Sequence, residues 1–92
     1  MTDAERQGPF WDMIEGRRAA PPAAAVLGWR LVALDPEKGT IRVAFEARAE
    51  FLNPIGTVQG GILTVMLDDT MGPAGTAYLG GEALCQTLEL KP

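Results

Sequence analysis

Ile41, Val43, Phe45 and Ala47 alternate along the chain with Arg42, Ala44, Glu46 and Arg48. A strict period of two with charge on one side predicts a half-buried antiparallel strand. Ahead of it, Trp29, Leu31 and Ala33 alternate with Arg30, Val32 and Leu34. Asp35-Pro36-Glu37-Lys38-Gly39 separates the two runs with residues that suit a tight turn. The segment 26–48 is therefore expected to form a hairpin.

The flanking segments read differently. Phe10, Met13 and Ile14 share one helical face behind Gly8-Pro9, and Pro tolerates the first helical position. This predicts a short amphipathic helix over 9–17, ended by Pro21-Pro22, so 1–22 reads as a tail, a helix and a linker. Residues 51–61, rich in Gly with Pro54 and Asn53, read as a loop. Beyond them, Ile62, Val65, Met66 and Asp69 share one face, and Leu63 and Leu67 widen it. A central helix over 61–79, buried over most of its girth, is expected. Pro73 removes the amide that would bond to the carbonyl of Asp69, so a kink or an end is expected there. Gly80-Gly81 marks a turn. Leu84, Gln86, Leu88 and Leu90 then alternate with Cys85, Thr87, Glu89 and Lys91, predicting a third strand over 84–91.

Composition narrows the chemistry more than the fold. The 92 residues suffice for one small domain. A net charge of −4 excludes the basic face of a nucleic-acid module or a polybasic membrane anchor. No apolar run is long enough to span a membrane and no secretory signal is visible, so the cytoplasm is the expected location. The chain has no histidine and one cysteine, Cys85. It therefore supplies no Ser-His-Asp system, no His-bearing metal site and no internal disulfide. Catalysis would rest on carboxylates, hydroxyls, backbone amides or the lone thiol, and no metal or redox cofactor is expected.

Gly60-Gly61 opens the central helix, and Asp68-Asp69 follows two turns later. Unpaired amides at a helix N-terminus favour developing negative charge, and glycine lets a ligand come close. Donors of that kind beside a partly buried carboxylate suit hydrolysis of an activated acyl group. The plain alternative is a glycine-bearing loop and a solvated Asp pair.

The order of the pieces and one spaced motif carry a resemblance. Asn53-Pro54-Ile55-Gly56-Thr57-Val58-Gln59-Gly60-Gly61, followed by Met66-Leu67-Asp68-Asp69-Thr70-Met71-Gly72, resembles the hotdog-fold thioesterases of the PaaI type. The likeness runs from about Val26 to the end of the chain. It implies an α+β hotdog fold, an antiparallel sheet wrapped around a long central helix, here partial and preceded by a short N-terminal helix. It implies hydrolysis of acyl-coenzyme A thioesters to a free acid and coenzyme A, by a homodimer or homotetramer whose site lies between two copies. By the same resemblance, Asp68 is the helix acid, as base on water or as nucleophile. Gly60 polarises the thioester carbonyl through its amide, and Asn53 orients substrate or water. Val58, Gln59 and Gly61 bind substrate. Asp69 is rotated about 100° from Asp68 on a helix of ~3.6 residues per turn, so it is assigned to structure or an interface.

Two departures qualify the resemblance. Gln59 stands where many members carry His; it can donate a hydrogen bond but cannot titrate near neutrality. Further strands that follow the third strand in the family have no counterpart before Pro92, so the chain is read as C-terminally truncated. Alternatives are a non-catalytic hotdog module that binds acyl groups or dimerises, and an inactive fragment of a longer thioesterase. Trp11 and Trp29 are expected as packing residues, Met66 and Met71 as core filler, and Arg17-Arg18 as a solvated helix end.

Overall fold

The computed structural model describes residues 6–81, 86–88 and 90. Three helices and one hairpin follow in the order α1 (Pro9–Ile14), α2 (Pro22–Leu27), β1 (Arg30–Asp35), β2 (Thr40–Ala44), α3 (Gly60–Tyr78). A 3-10 turn, Ala49–Phe51, precedes α3. This is a small α+β arrangement: a two-stranded antiparallel sheet and one long helix, consistent with part of a hotdog fold. Among the described residues no helix is long and apolar enough to cross a membrane.

The expected linker after Pro21-Pro22 is instead the helix α2. Pro22 occupies its first turn, where a missing N–H costs nothing, and three alanines follow with high helix propensity. Gly28, at φ 70°, ends the helix in a left-handed conformation. Its amide bonds to Ala25 O at 3.2 Å and that of Trp29 bonds to Ala24 O at 3.0 Å, a Schellman pair. The hairpin consequently starts at Arg30 rather than 26.

Its turn forms as expected. Asp35 Oδ1 accepts from the amides of Glu37 (3.1 Å) and Lys38 (3.2 Å), and Gly39 takes φ 69°. The alternation on β1 is corrected by a bulge. Leu31 faces Val43, but Ala33 faces Arg42, which leaves Val32 as the extra residue. Leu31 and Leu34 therefore both pack on the core, while Ala33 is exposed. The second strand ends at Ala44, four residues short of expectation. Beyond it, the amide of Glu46 bonds to Leu27 O at 3.1 Å, tying the chain to the end of α2 instead of to the ladder.

The core joins both ends of the described chain. Trp11 is 1% exposed and packs with Ile14 and Ala77. Phe10 meets it edge-on at 5.0 Å, and its Nε1 donates to Gly80 O at 3.2 Å. A Cβ on Gly81 would collide with the indole, and Gly81 sits at φ 83°, so glycine is required there on both counts.

Pro73 does not end α3, which continues through it to Tyr78. The freed carbonyl of Asp69 accepts the indole N–H of Trp29 at 3.0 Å. A side chain from the hairpin entry thus replaces the hydrogen bond that the proline removes. Leaving a buried carbonyl unpaired costs about 1–3 kcal/mol, so Trp29→Phe is expected to destabilise by about that much through this bond. In a Pro73→Ala background, residue 73 regains its N–H and the Trp29→Phe cost should shrink by about 1 kcal/mol. Urea melts of the four chains check this, and equal costs in both backgrounds would refute the replacement.

The burial of α3 is also less than expected. Leu63, Leu67 and Met71, spaced by four, are each about half exposed. β2 lies against the helix and forms an apolar groove with it, lined by Ile41, Val43, Phe45, Leu63 and Met66. Two strands cannot wrap a whole helix. Met66 is half-buried as filler; Met71 is not core. Of the strand expected at 84–91, half the residues lie outside the described ones, and the described ones, Gln86, Thr87, Leu88 and Leu90, form no strand.

Candidate functional site

The start of α3 is set by the loop before it. Asn53 organises that loop through its own side chain. Its Oδ1 accepts from the amides of Ile55 (3.0 Å) and Thr57 (3.1 Å), and its Nδ2 donates to Thr57 Oγ1 at 2.8 Å. The backbone adds Asn53 N to Thr57 O at 2.8 Å, and Gly56 takes φ 85° to close the turn. Leu52 and Val58 pair as an isolated bridge at the loop's base, and the amide of Gln59 bonds to Phe51 O at 2.7 Å. Asn53 therefore fixes where the helix begins, and any role toward a substrate acts through that placement or its remaining hydrogen.

Gln59 caps α3, its carbonyl accepting from Ile62 N (2.9 Å) and Leu63 N (3.2 Å). Gly60 and Gly61 follow as exposed residues in the first turn, where amides have no partner one turn back. A Cβ built on either would meet nothing within 4 Å. The helix dipole adds its positive end at the same place. Glycine at both positions leaves no side chain to crowd the first turn of the helix.

Asp68 lies eight residues further along α3, half-buried. It accepts a hydrogen bond from Thr87 Oγ1 on its Oδ1. Thr87 belongs to the segment read as a strand, but its pairing with Asp68 was not foreseen. At about 1.5 Å rise per residue, Asp68 stands about 12 Å along the helix axis from Gly60. One copy therefore cannot bring both groups to one carbonyl. The sequence-derived residues divide into an amide end, with Asn53, Val58, Gln59, Gly60 and Gly61, and a carboxylate end, with Asp68.

Asp69 behaves differently from its neighbour. Its Oδ2 is buried with no hydrogen-bond partner among the described residues. Burial holds its carboxyl above the usual carboxylate range, and the charge of Asp68 adds to the shift. The native chain thus holds this proton more readily than the unfolded one. Stability falls as pH rises from the ordinary carboxylate value through the raised native value. Asp69→Asn removes that slope. Its melting temperature should exceed the parent's most at pH about 7 and by least at pH about 4. Thermal melts across that range check this; an advantage independent of pH would contradict it.

Arg17 is engaged by its own helix end, with Nε 3.0 Å from Asp12 Oδ1 and Nη1 2.7 Å from Glu15 Oε2. Both contacts are exposed, and the two carboxylates raise its pKa further.

An α+β unit with open amides at the start of its long helix and a carboxylate two turns inside it matches the arrangement expected of a thioester-hydrolysing fold. The comparison with solved structures agrees. The chain is similar to the crystal structure of a protein from Ralstonia eutropha JMP134 described as a "putative thioesterase, phenylacetic acid degradation-related protein". The two share 40% identity and superpose with a TM-score of 0.80, over 89% of this chain and 62% of the other. The chain thus spans less than two thirds of that protein's length. The resemblance to PaaI-type thioesterases carried by Asn53–Gly61 and Met66–Gly72 is borne out. No family model and no curated protein matches the chain.

Proposed function

We propose that the chain forms part of a hotdog-type hydrolase that cleaves acyl-coenzyme A thioesters between two copies. The observation that carries this reading is the separation of the amide end from the carboxylate end on one helix. In an antiparallel pairing of two copies, the α3 N-terminus of one approaches Asp68 of the other, and each site is then completed across the pair.

The thioester carbonyl oxygen accepts from the Gly60 amide, with Gly61 beside it. Gln59 adds an amide donor but no proton. Asp68 of the second copy takes a proton from water as the water oxygen bonds to the carbonyl carbon. The tetrahedral adduct collapses, the C–S bond breaks, and the thiolate leaves with the proton that Asp68 returns. The balance is thioester plus water giving carboxylic acid plus thiol. The nucleophilic route uses an Asp68 oxygen for the first attack and water for the resulting anhydride. Single-turnover reaction in 18O-water tells the two apart, because only the second labels Asp68.

The name of the Ralstonia protein points to phenylacetic acid chemistry. Phenylacetyl-coenzyme A is accordingly the first substrate to test, with acetyl-coenzyme A beside it. Thiol release that requires Asp68 supports the proposal. Ligand binding without thiol release, unchanged in Asp68→Asn, would favour the non-catalytic module instead. Gln59 is the observation on that side, since it leaves the amide end without a titrating group.

A further inference from the structure

A cavity of about 430 Å³ lies between α1, the start of α2, β1 and the middle of α3. Met13, Ile14, Trp29, Leu31 and Pro73 give it apolar walls, and neither Gly60 nor Asp68 lines it. The volume falls within the range of small-molecule sites, roughly 300–1,000 Å³, and apolar walls with few polar groups are their usual makeup. The indole of Trp29 is held in place there, because its N–H is committed to the Asp69 carbonyl.

Four ionisable residues also line the cavity, Glu15, Arg18, Arg30 and Asp69, and their charges are not equally free. Glu15 is already paired: its Oε2 lies 2.7 Å from Nη1 of Arg17, a residue outside the cavity lining. Asp69 keeps its Oδ2 closed off from the cavity, and burial favours its uncharged form. Arg18 and Arg30 differ from both. Each is exposed, and neither guanidinium has a hydrogen bond or an ion pair among the described residues. The uncommitted charge of the lining is therefore positive. It sits on two planar forks of donors, a geometry that matches a carboxylate.

We propose that this cavity binds a small carboxylate with an apolar body, the carboxylate accepting from Arg18 and Arg30 and the body lying against Trp29, Met13 and Leu31. The site is separate from the thioester chemistry and does not depend on it. Binding involves no covalent step.

Hydrocinnamate is the probe, with hydrocinnamamide as the uncharged counterpart of nearly the same shape. Both are titrated into the full chain at neutral pH, following tryptophan fluorescence and saturation-transfer NMR of the ligand. Saturable binding of the carboxylate is expected, at least about tenfold tighter than that of the amide. Raising the salt from about 0.02 M to about 0.5 M should erode that advantage, because exposed guanidinium groups are screened, and should leave the amide within about twofold. Arg18→Gln and Arg30→Gln should each weaken the carboxylate by about threefold or more and leave the amide within about twofold. Ala20→Leu, on the rim of the cavity, should weaken both ligands. A carboxylate that fails to saturate, or that binds no better than the amide, would overturn the proposal. A carboxylic acid is also a product of the proposed hydrolysis, and the substitutions separate the two sites. Carboxylate binding unmoved by all three would place the ligand outside this cavity and overturn the proposal. Circular dichroism checks the folding of each variant. If one fails to fold, the preference for the carboxylate and its loss at high salt in the parent chain decide.

Discussion

Asp68→Asn is expected to lower thiol release from an acyl-coenzyme A ester by about 10²–10⁴-fold, the usual contribution of a positioned general base. The substitution is nearly isosteric, and the amide can still accept from Thr87 Oγ1, which now meets Asp68 Oδ1. The fold should survive, as Asp68 is only half-buried and lies outside the core. What is lost is the proton acceptor, or the nucleophile on the second route. The loss should appear in kcat more than in KM, because the carboxylate acts on the reacting atoms. Removing Asp68 also removes the charge that helps raise the Asp69 carboxyl, so the acid-side slope in the stability of the variant should be smaller than in the parent. Steady-state kinetics with circular dichroism as the folding control checks the first point. A rate within about threefold of the parent's would exclude Asp68 from the chemistry.

Trp11→Ala is expected to have the largest effect on stability, about 3–5 kcal/mol. Trp11 is the largest fully buried side chain and joins α1 to the end of α3, through Ala77 and through its bond to Gly80 O. The Arg6 guanidinium also lies over the ring, 5.2 Å from its centroid. Truncation would leave a cavity at the junction and free the carbonyl of Gly80. For a domain whose total stability is of order 5–15 kcal/mol, this is a large share. Trp11→Phe keeps most of the apolar volume and should cost less, the remainder reporting the lost indole bond. Urea denaturation measures both. A Trp11→Ala cost under about 1 kcal/mol would show that this cluster does not hold the ends of the chain together.

The hairpin and the long helix were legible in the sequence because each rests on local rules. Asp35 and Gly39 encode the turn, and the alternation through Ile41 and Val43 encodes the strand. The bulge at Val32 was not legible, since it is set by which leucines reach the core, and Leu34 reaches it only with the extra residue. The helix α2 was missed for a different reason. Two prolines read as a break, although Pro22 begins a helix and Gly28 ends it in the positions those residues favour. Pro73 is the converse case. The freed carbonyl of Asp69 could be named from the sequence, but its partner, Trp29, lies 40 residues away and is visible only in three dimensions. The candidate site divides along the same line. Gly60 and Asp68 stand out from motif spacing, and Asn53 from its place in the loop. The burial of Asp69 Oδ2 and the contact of Thr87 depend on packing that no local pattern encodes.

We propose that Gly60 of one copy and Asp68 of another act on one carbonyl, because about 12 Å of helix separates them within a copy. Thiol release per chain, measured against chain concentration with phenylacetyl-coenzyme A, tests it most directly. The specific rate is expected to rise with concentration to a plateau as copies pair, and Asp68→Asn is expected to abolish it at every concentration. A specific rate independent of concentration in a sample shown to be monomeric throughout, or the absence of thiol release from folded, paired chains, would contradict it.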